Sequence, residues 1–278
     1  MDASVAHRDE SAASAEECDD VVCPQHAKYT VLFVSTIPRA QIEVLGIANP
    51  AEEFRNELGL GTAQFRMIDV TCEELPEVVE EHGVIIGGSP HSAYERLPWM
   101  EKLEEFIRSV AAQGKPMLGV CFGHQIISQA LGGVVEKGAN GRELGVAPIE
   151  LTEHGKEDPL FEGLGEGFQT AISHSDVVTT LPADARVLAR NSKYNHQALA
   201  IGECIRSVQF HPEMSLLTVI QLAQSRKQQL FEEKFVESED HLRTYISDVE
   251  KADITAARKV LTNFYRHFVV PHARRETT

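Results

Sequence analysis

The chain has no surplus of base. Its 278 residues hold 26 Lys and Arg against 42 Asp and Glu, a formal charge of −16. That balance excludes nucleic-acid binding through a basic surface and says little about small substrates. Cysteine is scarce: Cys18, Cys23, Cys72, Cys121 and Cys204 are scattered and odd in number. They outline no disulfide framework and no C-x-x-C pair, and no histidine cluster completes a zinc site beside them. The expectation is a reducing compartment, with no metal and no cofactor. No apolar run approaches the roughly 18 residues that span a bilayer, so no membrane segment is expected. The first residues are rich in Asp and Glu and lack a basic stretch followed by an apolar one. A secretory signal or transit peptide is therefore not expected, and the cytosol is the expected location. There is no repeat of solenoid length.

What is present fits one α/β domain with extensions. Residues 1–27 are polar, Ala/Ser-rich and acidic, and are expected to be a disordered tail. A single domain is expected over 28–270, with fraying over 271–278. Tyr29–Ser35, Ala63–Val70, Gly83–Ile86 and Lys115–Val120 read as strands, the apolar ones buried on both faces. Between them, the segment around Phe54 and Leu58 and the stretch Trp99–Ala112 have helical spacing, and another helix runs to Leu131. Such alternation predicts a parallel sheet covered on both sides. After Gly133 come short strand candidates: Val134–Glu136, Gly145–Leu151, Gln169–Ile172, Ala185–Arg190, Ala198–Ile201 and Ile205–Phe210. These predict added antiparallel strands. Leu216 to about Ala257 is helical and charged, and Thr262–Val269 reads as a last docking helix.

Three stretches carry chemistry. Gly119-Val120-Cys121-Phe122-Gly123-His124-Gln125 ends an apolar strand and opens a helix, the pattern of a nucleophile elbow with Cys in place of Ser. Glycines flank the turn because side chains there would clash, and the helix N-terminus favours a thiolate at Cys121. A buried cysteine closing a core strand would look the same. Phe210-His211-Pro212-Glu213 places His211 and Glu213 two apart, on one face of an extended chain. That suits a general base and the carboxylate that orients it, but also a plain strand-end turn. Gly87-Gly88-Ser89 follows a buried strand. It can aim N–H groups at an oxyanion, with the Phe122 N–H as second donor, or simply turn tightly.

In that order, these stretches resemble the class I glutamine amidotransferases. The resemblance is closest to the stand-alone branch related to the amidotransferase domain of GMP synthase, which includes plant γ-glutamyl peptidases. It covers the chain from about Tyr29 to the C-terminal helix. It implies a three-layer, flavodoxin-like α/β fold, a mostly parallel central sheet with added antiparallel strands. It implies a Cys121–His211–Glu213 triad that forms a γ-glutamyl thioester, with Gly88 and Phe122 N–H groups at the oxyanion. Gln125 matches a position that helps bind the glutamyl group. Ser173-His174-Ser175-Asp176 resembles the segment whose backbone meets the substrate's α-amino and α-carboxylate groups. His174, Ser175 and Asp176 are thus expected to contact or support substrate rather than do chemistry, and His124 to pack in the helix's first turn. Many family members have Gly-Gly-Pro where this chain has Ser89 before Pro90. No stretch resembles an ATP-binding domain, and the Gly-rich turn lacks a P-loop's Gly-Lys-Ser/Thr ending.

The implied partners are glutamine or another γ-glutamyl compound, and a separate synthetase receiving ammonia. Three functions stand open: glutamine hydrolysis to glutamate and ammonia, cleavage of γ-glutamyl peptides such as glutathione or its conjugates, and a regulatory protein that kept the fold without turnover. The acidic tail and the charged stretch Arg226–Glu239 would serve the last, but read more simply as solvated faces. Pro38–Glu57 and Pro90–Pro98 are expected rim elements.

Overall fold

A computed structural model describes residues 29–45 and 48–276. The acidic tail expected over 1–27 lies outside the described residues. The elements follow in order. First come β1 (Val31–Ser35), α1 (Arg39–Leu45), α2 (Pro50–Glu57), β2 (Phe65–Asp69), β3 (Gly83–Ile86), α3 (Pro98–Ala112), β4 (Met117–Val120) and α4 (Phe122–Ala130). Then come β5 (Val134–Lys137), β6 (Glu143–Leu151), α5 (Glu153–Glu157), β7 (Gly167–His174), β8 (Asp176–Thr180), β9 (Ala185–Arg190), β10 (Ala198–Ile201) and β11 (Ile205–Val208). The chain closes with α6 (Leu216–Ser225), α7 (Lys227–Glu232), α8 (Glu239–Glu250), α9 (Lys259–Phe264), a π-helical turn (Tyr265–Val269) and α10 (Val270–Glu276).

Among the described residues one sheet runs in the order β2-β1-β3-β4-β11-β10-β9-β6-β7, and β5 pairs with β8 in a small second sheet. Neighbours from β2 to β11 are parallel; those from β11 to β7 are antiparallel. Inside its edge strand β2, where Arg66 is exposed, the parallel half is wholly covered. Every residue of β1, β3, β4 and β11 is buried, and side chains alternate between two cores as the pleat requires. Val31, Phe33 and Ile85 join Phe54, Leu58, Phe264 and Val269 on one face. Leu32, Val34 and Ile86 join Leu103, Ile107, Ile126 and Ile127 on the other. These three layers match the family's expected architecture. A third cluster packs Leu222, Leu230, Leu242 and Val249 of α6–α8 against Leu144 and Ala171 of the antiparallel half.

The structure differs from the sequence reading in several places. The strand expected to reach Phe210 stops at Val208, and the charged region after Leu216 divides into three helices, α6 to α8. Strand β8 and helices α1 and α5 have no separate counterpart in that reading. The segment expected to fray over 271–278 is helical as far as Glu276, with Ala273 buried against the core. The docking helix is as expected. Phe264 and Val269 are fully buried, and a Cβ on Gly83 at the start of β3 would lie 2.6 Å from Val269.

Candidate active site

The site lies at the C-terminal ends of β4, β3 and β11, where open α/β sheets present their loops to ligands. Parallel pairing of β11 with β4 sets Val208 opposite Val120. The residues that follow each strand therefore emerge side by side. Cys121 has φ 55° and ψ −104°, a left-handed conformation that an L-residue adopts only where its surroundings impose it. Its N–H donates to Val208 O at 2.9 Å, and its carbonyl accepts from Gln125 N at 3.2 Å. The flanking glycines are explained by contact distance. A Cβ on Gly123 would sit 2.1 Å from Ile86 O, and one on Gly119 2.5 Å from Gly123 O. Helix α4 thus rests directly on the backbone of β3 and β4, and no side chain fits between them.

His211 is tied to the antiparallel half by its N–H, which donates to Ala171 O at 2.8 Å. Its Nδ1 lies 2.7 Å from Glu213 Oε1, both side chains buried. Burial alone would lower the imidazole's pKa. The negative carboxylate of Glu213, the sulfur of Cys121 and hydrogen bonds to both outweigh it and hold the pKa well above its ordinary value. Gly88 faces both partners: a Cβ there would lie 3.1 Å from His211 Cε1 and 4.0 Å from Cys121 Sγ. The peptide of Gly88 is held from behind, where Thr36 Oγ1 donates to its carbonyl at 2.5 Å and Ser89 Oγ donates to Thr36 O at 3.0 Å. Among the described residues, neither the Gly88 N–H nor the Phe122 N–H meets an acceptor. Two unengaged donors beside a sulfur are what an oxyanion requires.

The cavity over Cys121 is lined by Gly88, Ser173, His211, Glu53 and Arg226, with Ile37, Pro50, Pro90 and Met214 adding apolar wall. Both expected rim segments contribute. The four residues matched to glutamyl binding sit differently. Gln125 Nε2 donates to Asp176 O at 2.8 Å and to Gln209 Oε1 at 3.1 Å. The His174 ring lies between Asp176 O and Glu143 Oε2, 3.0 Å from each. Asp176 accepts from Ser92 Oγ at 2.6 Å and Tyr94 Oη at 3.1 Å, and Ser175 O accepts from Gly138 N at 2.7 Å. They brace the β7–β8 turn against α4 rather than line the cavity. From that segment it is Ser173 that reaches it, its carbonyl 3.6 Å from Cys121 Sγ. His124 packs as expected, fully buried with Nδ1 2.9 Å from Ser207 Oγ. Burial, reinforced by His174 and His196, lowers its pKa to about 3.

Sequence reasoning does not single out Glu53 or Arg226. Glu53 lies within an expected rim segment. Arg226 opens a stretch that reads as a solvated face, and here the reading fails, because its side chain enters the cavity. The Arg226 guanidinium donates to Ser173 Oγ at 3.0 Å.

Removing the charge of Glu213 tests the geometry. Glu213→Gln is expected to cut turnover by about 10²–10⁴-fold. With the negative partner gone, burial dominates and the His211 pKa falls. The ring then loses its proton at lower pH than in the unaltered chain, a shift that ring-nitrogen NMR titration reads directly. An unchanged His211 titration would mean that Glu213 does not hold the imidazolium.

Fold and geometry together are those of an α/β protein with a cysteine at a strand–helix elbow. The chain belongs to the class I glutamine amidotransferase family: a model described as "Glutamine amidotransferase class-I" matches residues 55–221. It is 32% identical over 151 residues to γ-glutamyl peptidase 4 of Arabidopsis thaliana, covering 54% of this chain and 60% of that protein. A glutamine-hydrolysing GMP synthase of Bacteroides fragilis matches at 37% identity over 159 residues, which is 54% of this chain but only 29% of that protein. The chain thus spans less than two thirds of the plant peptidase and under one third of the synthase. Among solved structures, a glutamine amidotransferase from Thermotoga maritima superposes with TM-score 0.69 at 21% identity, over 87% of this chain and 98% of that one. That likeness shows the fold.

Proposed function

We propose that the chain hydrolyses the carboxamide of glutamine, releasing glutamate and ammonia through a γ-glutamyl thioester on Cys121. The observation that carries this reading is the meeting of the Cys121 sulfur and the His211 ring beside Gly88, with the Gly88 and Phe122 N–H groups unengaged. Cys121 gives its proton to His211 and its sulfur attacks the carboxamide carbon. The resulting oxyanion is held by Gly88 N–H and Phe122 N–H. As it collapses, the C–N bond breaks, and the leaving nitrogen takes the proton back from His211. Water then enters and His211 removes its proton. The second tetrahedral intermediate expels the sulfur, which is reprotonated as glutamate leaves. Throughout, Glu213 fixes the ring's tautomer and offsets its positive charge. Ammonia is either released or passed to a separate synthetase. The proposed setting is the cytosol; no helix among the described residues is long and apolar enough to cross a membrane.

A second reading, cleavage of γ-glutamyl peptides, is favoured by the apolar wall of Ile37, Pro50, Pro90 and Met214. It offers an apolar surface to a leaving group larger than ammonia, and the similarity to a plant γ-glutamyl peptidase supports it. One mass-spectrometric screen separates the two. The purified chain is offered glutamine, glutathione and a glutathione conjugate. Glutamate and ammonia from glutamine support the first reading; release of the peptide remainder with glutamine untouched replaces it with the second. No product from any of them rejects both.

A further inference from the structure

Two charged side chains in the wall of this cavity take no part in the chemistry above. Arg226 sits where α6 ends, its backbone fixed by bonds from its N–H to Leu222 O and from Leu230 N to its carbonyl. Its side chain makes one hydrogen bond, to Ser173 Oγ, and is in no ion pair among the described residues. Glu233, whose charge acts on it, is already engaged by both Nε and Nη2 of Arg142, at 2.6 and 2.9 Å. Burial, and then repulsion from Arg142, lowers the pKa of Arg226. A guanidinium has five N–H donors in a planar fork. Most of this fork is unused in a place where an uncompensated charge is costly.

Glu53, on α2, is the counterpart of opposite sign. It accepts from Thr218 Oγ1 at 2.8 Å and pairs with no cation among the described residues. Burial and the neighbouring Glu213 raise its pKa to about 6, against lowering by Thr218, Ser215 and His211. One unpaired cation and one unpaired anion thus share the cavity that holds the nucleophile. The γ-glutamyl unit carries a carboxylate and an ammonium on one carbon, two methylenes from the carbonyl under attack. Its charges are those the wall lacks.

We propose that Arg226 and Glu53 determine specificity by clamping the α-carboxylate and the α-ammonium of the γ-glutamyl unit, respectively. This rests on the reading of Cys121 as a γ-glutamyl acceptor. It demands a free α-amino-acid end on every substrate and leaves the leaving group unspecified.

The test uses product analogues that cannot be turned over. L-Glutamate, 4-aminobutyrate (no α-carboxylate) and glutarate (no α-ammonium) are titrated calorimetrically into the unaltered chain, Arg226→Met, Arg226→Lys and Glu53→Gln. Loss of one charge-assisted bidentate contact is expected to weaken glutamate about 10- to 100-fold in Arg226→Met. The preference for glutamate over 4-aminobutyrate should vanish with it, while Arg226→Lys keeps part of both. Glu53→Gln should abolish the preference over glutarate in the same way. Equal weakening of all three ligands by each variant, or none, overturns the proposal. Glutamine turnover is measured alongside. A clamp without turnover sinks the hydrolase reading alone; turnover without a clamp sinks this one alone.

Discussion

Cys121→Ala is expected to lower turnover of any γ-glutamyl substrate by about 10⁴–10⁶-fold, the scale of losing a nucleophile that acts as a unit with its base. The remaining rate would come from the cavity and the two N–H donors alone. Stability should change by less than about 1 kcal/mol. Alanine keeps the Cβ, so the strain of the positive φ is the same in both chains. What is lost is the sulfur and its 3.6 Å approach to Ser173 O. Coupled assays for glutamate, read beside a thermal unfolding curve, separate the two effects. A variant that unfolds early would make the loss a matter of structure. One that keeps its unfolding temperature and most of its activity would remove Cys121 from the chemistry.

Gly123→Ala should act in the opposite way, through the fold first. Its added methyl would meet Ile86 O at 2.1 Å and Ile86 C at 2.9 Å, backbone atoms of a central strand that cannot turn aside. The expected cost is about 3 kcal/mol, the upper part of the range for overpacking. That corresponds to a fall of about 6–12 °C in unfolding temperature for a chain of this size. Because the displaced element is α4, whose first N–H is a proposed oxyanion donor, activity should fall even at temperatures where the variant remains folded. Gly61→Ala is the control. Its φ is −74°, and its Cβ would meet only the Gln64 side-chain oxygen at 3.3 Å. A change within about 1 kcal/mol is expected there. Equal stability of the two variants would show that the close approach of α4 to β3 is not what requires glycine.

The proposed catalytic half of the site is legible in the sequence because its geometry is local to each motif. Cys121 needs only a strand that stops, a turn and a helix that starts, and the sequence writes all three within a dozen residues. His211 and Glu213 are two residues apart, and their contact is local even though the strand stops at Val208 and the chain bends through them. Their meeting with Cys121 follows from pairing of β11 beside β4, which a parallel sheet supplies but a sequence does not display. The buried strands are legible for a related reason. Val31–Ser35 and Gly83–Ile86 are apolar on both faces, as only strands covered on both sides are.

Residues that reach the cavity through tertiary folding are not legible in this way. Arg226 follows α6 in a charged run with no apolar period to mark an inward face. Its place in the cavity depends on α6 packing over β6 and β7. Glu53 points inward because Ser215, capping α6, brings Thr218 within reach of it. Gln125, His174 and Asp176 show the converse. Their motif positions are readable, but hydrogen bonds to Gln209, Glu143, Ser92 and Tyr94 absorb their polar atoms. A motif places a residue near a site; the partners it meets decide whether it faces the ligand. Strand β8 is hidden in the sequence because Thr179 and Thr180 dilute its apolar signal.

The proposed intermediate is covalent: the γ-glutamyl group would rest on Cys121 between two steps. The most direct measurement is intact-protein mass spectrometry of the chain quenched in acid during turnover. His211→Asn is run beside it, because loss of the base slows attack by water on the thioester. A mass increase of one γ-glutamyl group is expected, located by peptide mapping to Cys121 and absent from Cys121→Ala. Steady product formation with no such adduct in either chain, or an adduct that survives in Cys121→Ala, would contradict it.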